Sequence, residues 1–268
     1  MNKPIGIFDS GIGGLTVARA IKNVLPDEQI IYFGDTKHLP YGDKSKETLV
    51  SYSLEIARFM LQQGVKAIVI ACNSASAMAY DEVKEFVGDT PVYNVIDPVV
   101  DHLAGKNTRS KHVGVIATKA TVNSRVYADK IAGRDLEAKT SSLATPLLVP
   151  MIEEGYHDDK ISHAIIKNYL CDNTLKDIDT LILGCTHYPL IEKEIDGFYN
   201  GEVNILNSAD IVAEEVKSLL KKSHLLNENE SLAKDHFYVS DFTESFEKTA
   251  KIIFCEDIHL EKIELGGK

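Results

Sequence analysis

Two cysteines stand where apolar runs give way to small polar residues: Cys72 in "VIACNSASA" (69–77) and Cys185 in "LILGCTH" (181–187). In open α/β sheets, ligands sit beyond the carboxyl ends of the strands, where helix N-termini offer unpaired N–H groups. A thiol placed there is expected to have its pKa lowered from about 8.5 toward neutrality, so one sulfur can act as a base while an equivalent thiol acts as an acid. Set on opposite sides of one carbon, such a pair removes a proton from one face and returns one to the other. The product is the mirror image. Other strand ends add Asp9-Ser10 ahead of "GIGG" (11–14), Thr118 with Thr121, and Thr186-His187 after Cys185. Each alone reads more simply as core packing or a tight turn. Together they bring two thiols, a carboxylate, an imidazole and several hydroxyls to one crevice.

The elements that must position these residues alternate along the chain. "IGIFD" (5–9) reads as a strand, followed by a helical run to Leu25 stopped at Pro26, and "IIYFGD" (30–35) as the next strand. A helix is expected from near Ser45, with Leu49, Tyr52, Ile56 and Phe59 on one face and Gly64 after its end. It leads to "VKAIVIAC" (65–72), a helix toward Phe86, and "PVYNVID" (91–97). The pattern then restarts, "VGVIAT" (113–118) echoing "IGIFDS" (5–10) and "DTLILGCTH" (179–187) echoing "KAIVIACNS" (66–74). "EVNILNS" (202–208), a helix at 209–222 and "HFYVSD" (236–241) complete a mixed tail, and "NENES" (227–231) reads as an exposed loop. This predicts two pseudo-symmetric α/β domains, each a mainly parallel sheet covered by helices on both faces, with the site between them. The boundaries expected are 1–97 plus 209–268 for the first and 98–208 for the second.

Composition narrows the function. The chain has 268 residues, 44% of them apolar, enough for a full core, and four cysteines without the close pairing of zinc or redox motifs. Free thiols in a reducing cytoplasm are the expectation. No secretory signal and no membrane span are read, since the longest uncharged stretch, 67–80, is too short and holds Asn73, Ser74 and Ser76. A net charge of −11 disfavours nucleic acid and anionic membranes as partners. Cys171 and Cys255 are read as packing residues, and His38, His102, His112, His157, His163, His224, His236 and His259 as surface or satisfied histidines.

Six segments in order, "FDSGIGG", "GDTKHLPYG", "ACNSASA", "ATKATV", "VPMIEEG" and "LGCTHYPL", together make the sequence resemble the glutamate racemases of the aspartate/glutamate racemase family. The resemblance covers nearly the whole chain. It implies a cytoplasmic, cofactor-independent isomerase that binds no metal and makes D-glutamate for peptidoglycan. A homodimer is compatible with it, and the oligomeric state is left open. It places the catalytic cysteines on Cys72 and Cys185 and the assisting groups on Asp9, His187 and Glu153. Substrate contacts fall on Asp9, Ser10, Tyr41, Gly42, Asn73, Ser74, Thr118, Thr121, Thr186 and His187. The family more often has threonine at the position of Ser74, and a hydroxyl is kept.

The physical reading agrees. A dicarboxylate substrate would meet no arginine or lysine in these segments except Lys37 and Lys119, so backbone N–H groups and hydroxyls must hold the anions. Three alternatives remain: a metal enzyme ligated by Cys72, Cys185, His187 and Asp9, a non-catalytic amino-acid binding protein, and an aspartate or hydantoin racemase. Cys-x-His is not a usual zinc spacing, and a binding protein gives no reason for paired thiols.

Overall fold

The computed structural model describes residues 3–105, 110–134, 136–156, 159–227, 234–242, 244–254 and 258–265. Its strands are β1 (Ile5–Asp9), β2 (Ile30–Gly34), β3 (Ala67–Ile70), β4 (Val92–Asn94), β5 (His112–Ala117), β6 (Lys139–Ala144), β7 (Thr180–Gly184), β8 (Asn204–Leu206), β9 (His236–Val239) and β10 (Leu260–Lys262). Its helices are α1 (Gly14–Val24), α2 (Lys46–Gln62), α3 (Asn73–Val87), α4 (Asp97–Ala104), α5 (Lys119–Asn123), α6 (Val126–Ala132), α7 (Leu148–Glu153), α8 (Lys160–Leu170), α9 (Glu192–Tyr199), α10 (Ser208–Lys222) and α11 (Glu244–Phe254).

The strands form two parallel sheets, one in the order β10-β9-β2-β1-β3-β4 and the other β6-β5-β7-β8. The inner order of the first, β2-β1-β3-β4, is repeated by the second strand for strand. Even the register repeats: Ile5 lies beside Ala67 in the first sheet, and Val113, its counterpart, lies beside Thr180 in the second. The echo in sequence is therefore an echo in topology, and it brings Cys72 and Cys185 to equivalent strand ends.

Central strands β1, β2, β3, β5 and β7 are buried along their whole length because helices cover both faces. On the first sheet, α1 and α10 pack Leu15, Ile21, Val212 and Val216 against one face, while α2 and α3 pack Leu49, Ile56, Ala79 and Val83 against the other. Burying each of the larger side chains contributes about 1.5–3 kcal/mol. Helix α2 starts where Ser45 Oγ accepts the Thr48 N–H at 3.3 Å, and the chain leaves it through Gly64 at φ +70°, a left-handed turn that suits glycine.

Several boundaries differ from those read in the sequence. The run 91–97 stops being a strand at Asn94, because the Asn94 side-chain oxygen accepts the N–H groups of Ile96 and Asp97, each at 2.9 Å, and so opens α4. The sequence reading has no counterpart for β6 and β10. Both are edge strands with half-exposed side chains, so they lack a hydrophobic signature. Cys171 is exposed at the end of α8 and packs in no core. Cys255, His157 and most of "NENES", from 228 on, lie outside the described residues. No described helix is long and apolar enough to cross a membrane.

Candidate active site

A cleft between the two sheets, with an empty volume of about 640 Å³ partly open to solvent, has both cysteines in its wall. Ser10, Tyr41, Gly42, Asn73, Ser74, Thr118, Thr186 and His187 line it as well. Each reaches the cleft from the carboxyl end of a parallel strand or the loop beyond it. Asp9, Thr121 and Glu153, also singled out in the sequence, stand one layer behind this wall.

On the first side, Cys72 caps the N-terminus of α3, and its thiol lies 4.0 Å from Ser10 Oγ. Asp9, fully buried at the end of β1, accepts the N–H groups of Gly14 at 2.8 Å and Gly11 at 3.2 Å through one oxygen. Its other oxygen has no partner among the described residues. Gly14 permits this approach, since a Cβ there would overlap the Asp9 side chain. Burial raises the Asp9 pKa above the usual carboxylate value, opposed by His187 and by the N–H groups it accepts. Burial, reinforced by the Asp9 charge, also pushes the Cys72 thiol well up, and the α3 N–H at Ala75 only partly offsets this. The helix-terminus lowering expected from sequence is thus outweighed at Cys72, where desolvation by burial is the stronger effect. Burial and the Asp9 charge both favour the protonated thiol there.

On the second side, Cys185 precedes a short helical turn, Tyr188–Ile191, instead of a long helix. Its sulfur is 3.6 Å from His187 Nδ1, and His187 Nε2 is 3.0 Å from Glu153 Oε1. Burial opposes charging of this imidazole. Hydrogen bonds and attraction from Cys185 and Glu153 overcome that opposition and hold His187 well above its ordinary value. A cation beside the sulfur favours negative charge developing there.

The halves are stitched together around the cleft. Ser74 Oγ and Thr118 Oγ1 share a hydrogen bond at 2.8 Å, and Thr118 Oγ1 in turn meets Thr121 Oγ1 at 3.1 Å. Thr16 on α1 donates to the Thr186 carbonyl at 3.0 Å. Gly13 brings the start of α1 against His187, and a Cβ there would come within 2.5 Å of the ring's Nδ1. Tyr41 lines the cleft, yet its hydroxyl is committed to buried Asp35 at 2.6 Å.

Sequence reasoning missed the far wall: Thr145, Pro146, Val149 and Pro150. Thr145 follows β6, the unread edge strand, and its buried hydroxyl meets Tyr188 at 2.6 Å. The rule that strand ends carry the site would have found Thr145 had β6 been legible. At the mouth, Asp43 and Lys119 form an exposed ion pair across the halves at 3.2 Å.

Two parallel α/β units with matching strand orders thus close on one cleft that has a cysteine in each wall. The chain matches the Asp/Glu/Hydantoin racemase family model over residues 15–216, and it belongs to that family. It is an amino-acid racemase, an isomerase. Among similar proteins are the glutamate racemase of Persephonella marina, 44% identical over 98% of this chain and 97% of the relative, and that of Chlorobaculum parvum, 40% identical over 98% and 96%. The structure of Francisella tularensis glutamate racemase in complex with D-glutamate superposes with a TM-score of 0.91 at 40% identity, over 99% of this chain and 98% of that one.

Proposed function

We propose that this racemase interconverts L- and D-glutamate without a cofactor, using Cys72 and Cys185 as the two acid–base groups, and supplies D-glutamate for peptidoglycan in the cytoplasm. The observation that carries the reading is the pair of sulfur atoms on opposite walls of one cleft, Cys72 4.0 Å from Ser10 Oγ and Cys185 3.6 Å from His187 Nδ1. The 40% identity to enzymes named glutamate racemase over nearly the full length supports the choice of substrate. So does the Francisella structure with D-glutamate.

One sulfur, as thiolate, takes the α-proton of bound glutamate, and the electron pair spreads into the α-carboxylate. The other, as thiol, returns a proton to the opposite face and becomes the thiolate. The thiol and thiolate have exchanged places, so the same site runs the reverse reaction. In this reading Asp9 would draw the proton from Cys72, and the His187 cation would stabilise charge on Cys185. Hydrogen bonds from Ser10, Asn73, Ser74, Thr118 and Thr186 would hold the two carboxylates, worth most as charge develops in this desolvated cleft. Thr121 supports Thr118, Glu153 holds His187, and Tyr41-Gly42 closes the wall. The division into 1–97 plus 209–268 and 98–208 belongs to the same reading, supported by which strands share a sheet.

Incubation with L-glutamate in heavy water tests the proposal. D-glutamate should form with one solvent deuteron at its α-carbon. Turnover of aspartate or a hydantoin with glutamate untouched would overturn the substrate assignment, and racemisation that retains the α-hydrogen would overturn the mechanism.

A further inference from the structure

We infer that Tyr127, in the second half of the molecule, is a positioning residue that locks the Asn73 side chain with its amide N–H₂ turned into the cleft, as a donor for a carboxylate of the substrate. The inference rests on the function proposed above.

Tyr127 and Asn73 are each 2% exposed and belong to different halves, Tyr127 on α6 and Asn73 at the first position of α3 beside Cys72. Tyr127 Oη lies 2.8 Å from Asn73 Oδ1. Proton accounting fixes the direction. A buried phenol needs an acceptor for its proton, and Asn73 Oδ1 is the acceptor it has among the described residues. Rotating the amide by a half-turn would set N–H₂ against the phenol, strand the phenol proton, and turn a carbonyl oxygen toward an anionic substrate. Both consequences are unfavourable, so the tyrosine selects one of two nearly isosteric orientations. Burial also raises the phenol pKa, which keeps the group a donor.

What the selected orientation leaves over points to a ligand. Asn73 Nδ2 is buried and has no hydrogen-bond partner among the described residues, although Asn73 lines the cleft. Two unspent donors in a desolvated wall, next to a thiol that must face a carbon bearing a carboxylate, fit a carboxylate oxygen. The backbone around Tyr127 is shaped to deliver it. Arg125 adopts φ +59°, a left-handed conformation uncommon for a non-glycine residue, and this breaks the chain between α5 and α6 just before Tyr127 turns toward Asn73.

The test is a double-mutant cycle of Tyr127→Phe, Asn73→Ala and both together. It is read by steady-state kinetics in both directions, by equilibrium titration with racemic glutamate, in which no net reaction occurs, and by thermal unfolding. Tyr127→Phe keeps the ring and should weaken binding on the order of tenfold, the loss of one aligned hydrogen bond to a charged group. Its KM should rise several-fold more than kcat falls. In the Asn73→Ala background the same change should have little further effect on affinity, since its target is gone. The positioning role is overturned if Tyr127→Phe binds glutamate as tightly as the parent, or if its affinity cost persists undiminished without Asn73. A fall in thermal stability with affinity unchanged would make Tyr127 a packing residue only. A parent that binds and turns over glutamate while the cycle shows no coupling sinks this inference alone, whereas a parent that neither binds nor racemises glutamate sinks the functional reading and the carboxylate assignment together.

Discussion

The two sulfur-bearing strand ends occupy equivalent places in sheets of matching order, yet their surroundings differ in sign. Cys72 opens a 15-residue helix and has a buried carboxylate at the neighbouring strand end. Cys185 opens a short turn containing Pro189 and has an imidazole beside it, itself held by a glutamate. At the place on β5 that matches Asp9 on β1 stands Ala117, so the second half has no carboxylate there. Duplicated topology is enough to place two identical atoms in the wall of one cleft. It does not make them chemically identical. An anion beside one thiol and a cation beside the other give the two sulfurs opposite electrostatic surroundings.

The comparison breaks most completely at the sulfurs. Cys72→Ala and Cys185→Ala should each lower racemisation by at least about 10³-fold with the fold retained, because one face of the α-carbon loses its only acid or base. Polarimetry with each enantiomer measures this, and Cys171→Ala and Cys255→Ala serve as controls expected to keep parental rates. Either sulfur proving dispensable would mean that one half is scaffold.

Smaller effects should sharpen the asymmetry. Asp9→Asn and His187→Asn should each reduce kcat by roughly 10²-fold, with binding changed far less. The enantiomers have equal free energy in solution, so kcat/KM must stay equal in the two directions for every variant. Any difference between the halves can therefore surface only in kcat and KM taken separately. If Asp9→Asn and His187→Asn alter the L-to-D and D-to-L kcat values in the same ratio, the two halves are functionally equivalent after all.

Stability should separate the halves by pH window. Both groups are raised on folding, so each binds its proton more tightly in the native state, and for each the native state loses ground as pH rises. For Asp9 that loss begins near the ordinary carboxylate value of 3.8 and is complete above its raised value. Asp9→Asn, which does not titrate, should therefore melt higher than the parent at neutral pH by about 2–4 °C, or about 1 kcal/mol, with the advantage shrinking in acid. For His187 the stabilising contribution is fully present below its ordinary 6.5 and disappears as pH rises through the raised value. His187→Asn should cost most in mild acid and least in alkali. Thermal melts across pH check both, and coincident windows would refute the assignment of opposite charges to the two sides.

The smallest effect is expected where the halves meet in solvent. Lys119 and Asp43 are each more than half exposed, a setting in which an ion pair contributes about 0–1 kcal/mol. Lys119→Met should raise KM no more than about threefold, and the effect should fade in high salt. A larger, salt-insensitive rise would make Lys119 a direct substrate ligand.

By itself the sequence determined the alternation of buried strands and amphipathic helices, the restart of that pattern at Val113, and the two cysteines at matching strand ends. These were legible because parallel strands covered on both faces must be continuously apolar, so the first polar residue after each run marks the end where ligands bind. The resemblance of six segments to one family named the remaining candidates. Edge strands β6 and β10 were illegible because one exposed flank admits serine, threonine and lysine, and with β6 went Thr145 and the far wall of the cleft. Only the tertiary structure decided how those groups behave. Whether a thiol at a helix start is lowered by the helix or raised by burial depends on how much water the folded chain around it excludes, and at Cys72 exclusion wins. Whether Asn73 offers a donor or an acceptor depends on Tyr127, a residue 54 positions away, because hydrogen-bond direction is set by which groups converge in space and leaves no trace in local sequence pattern.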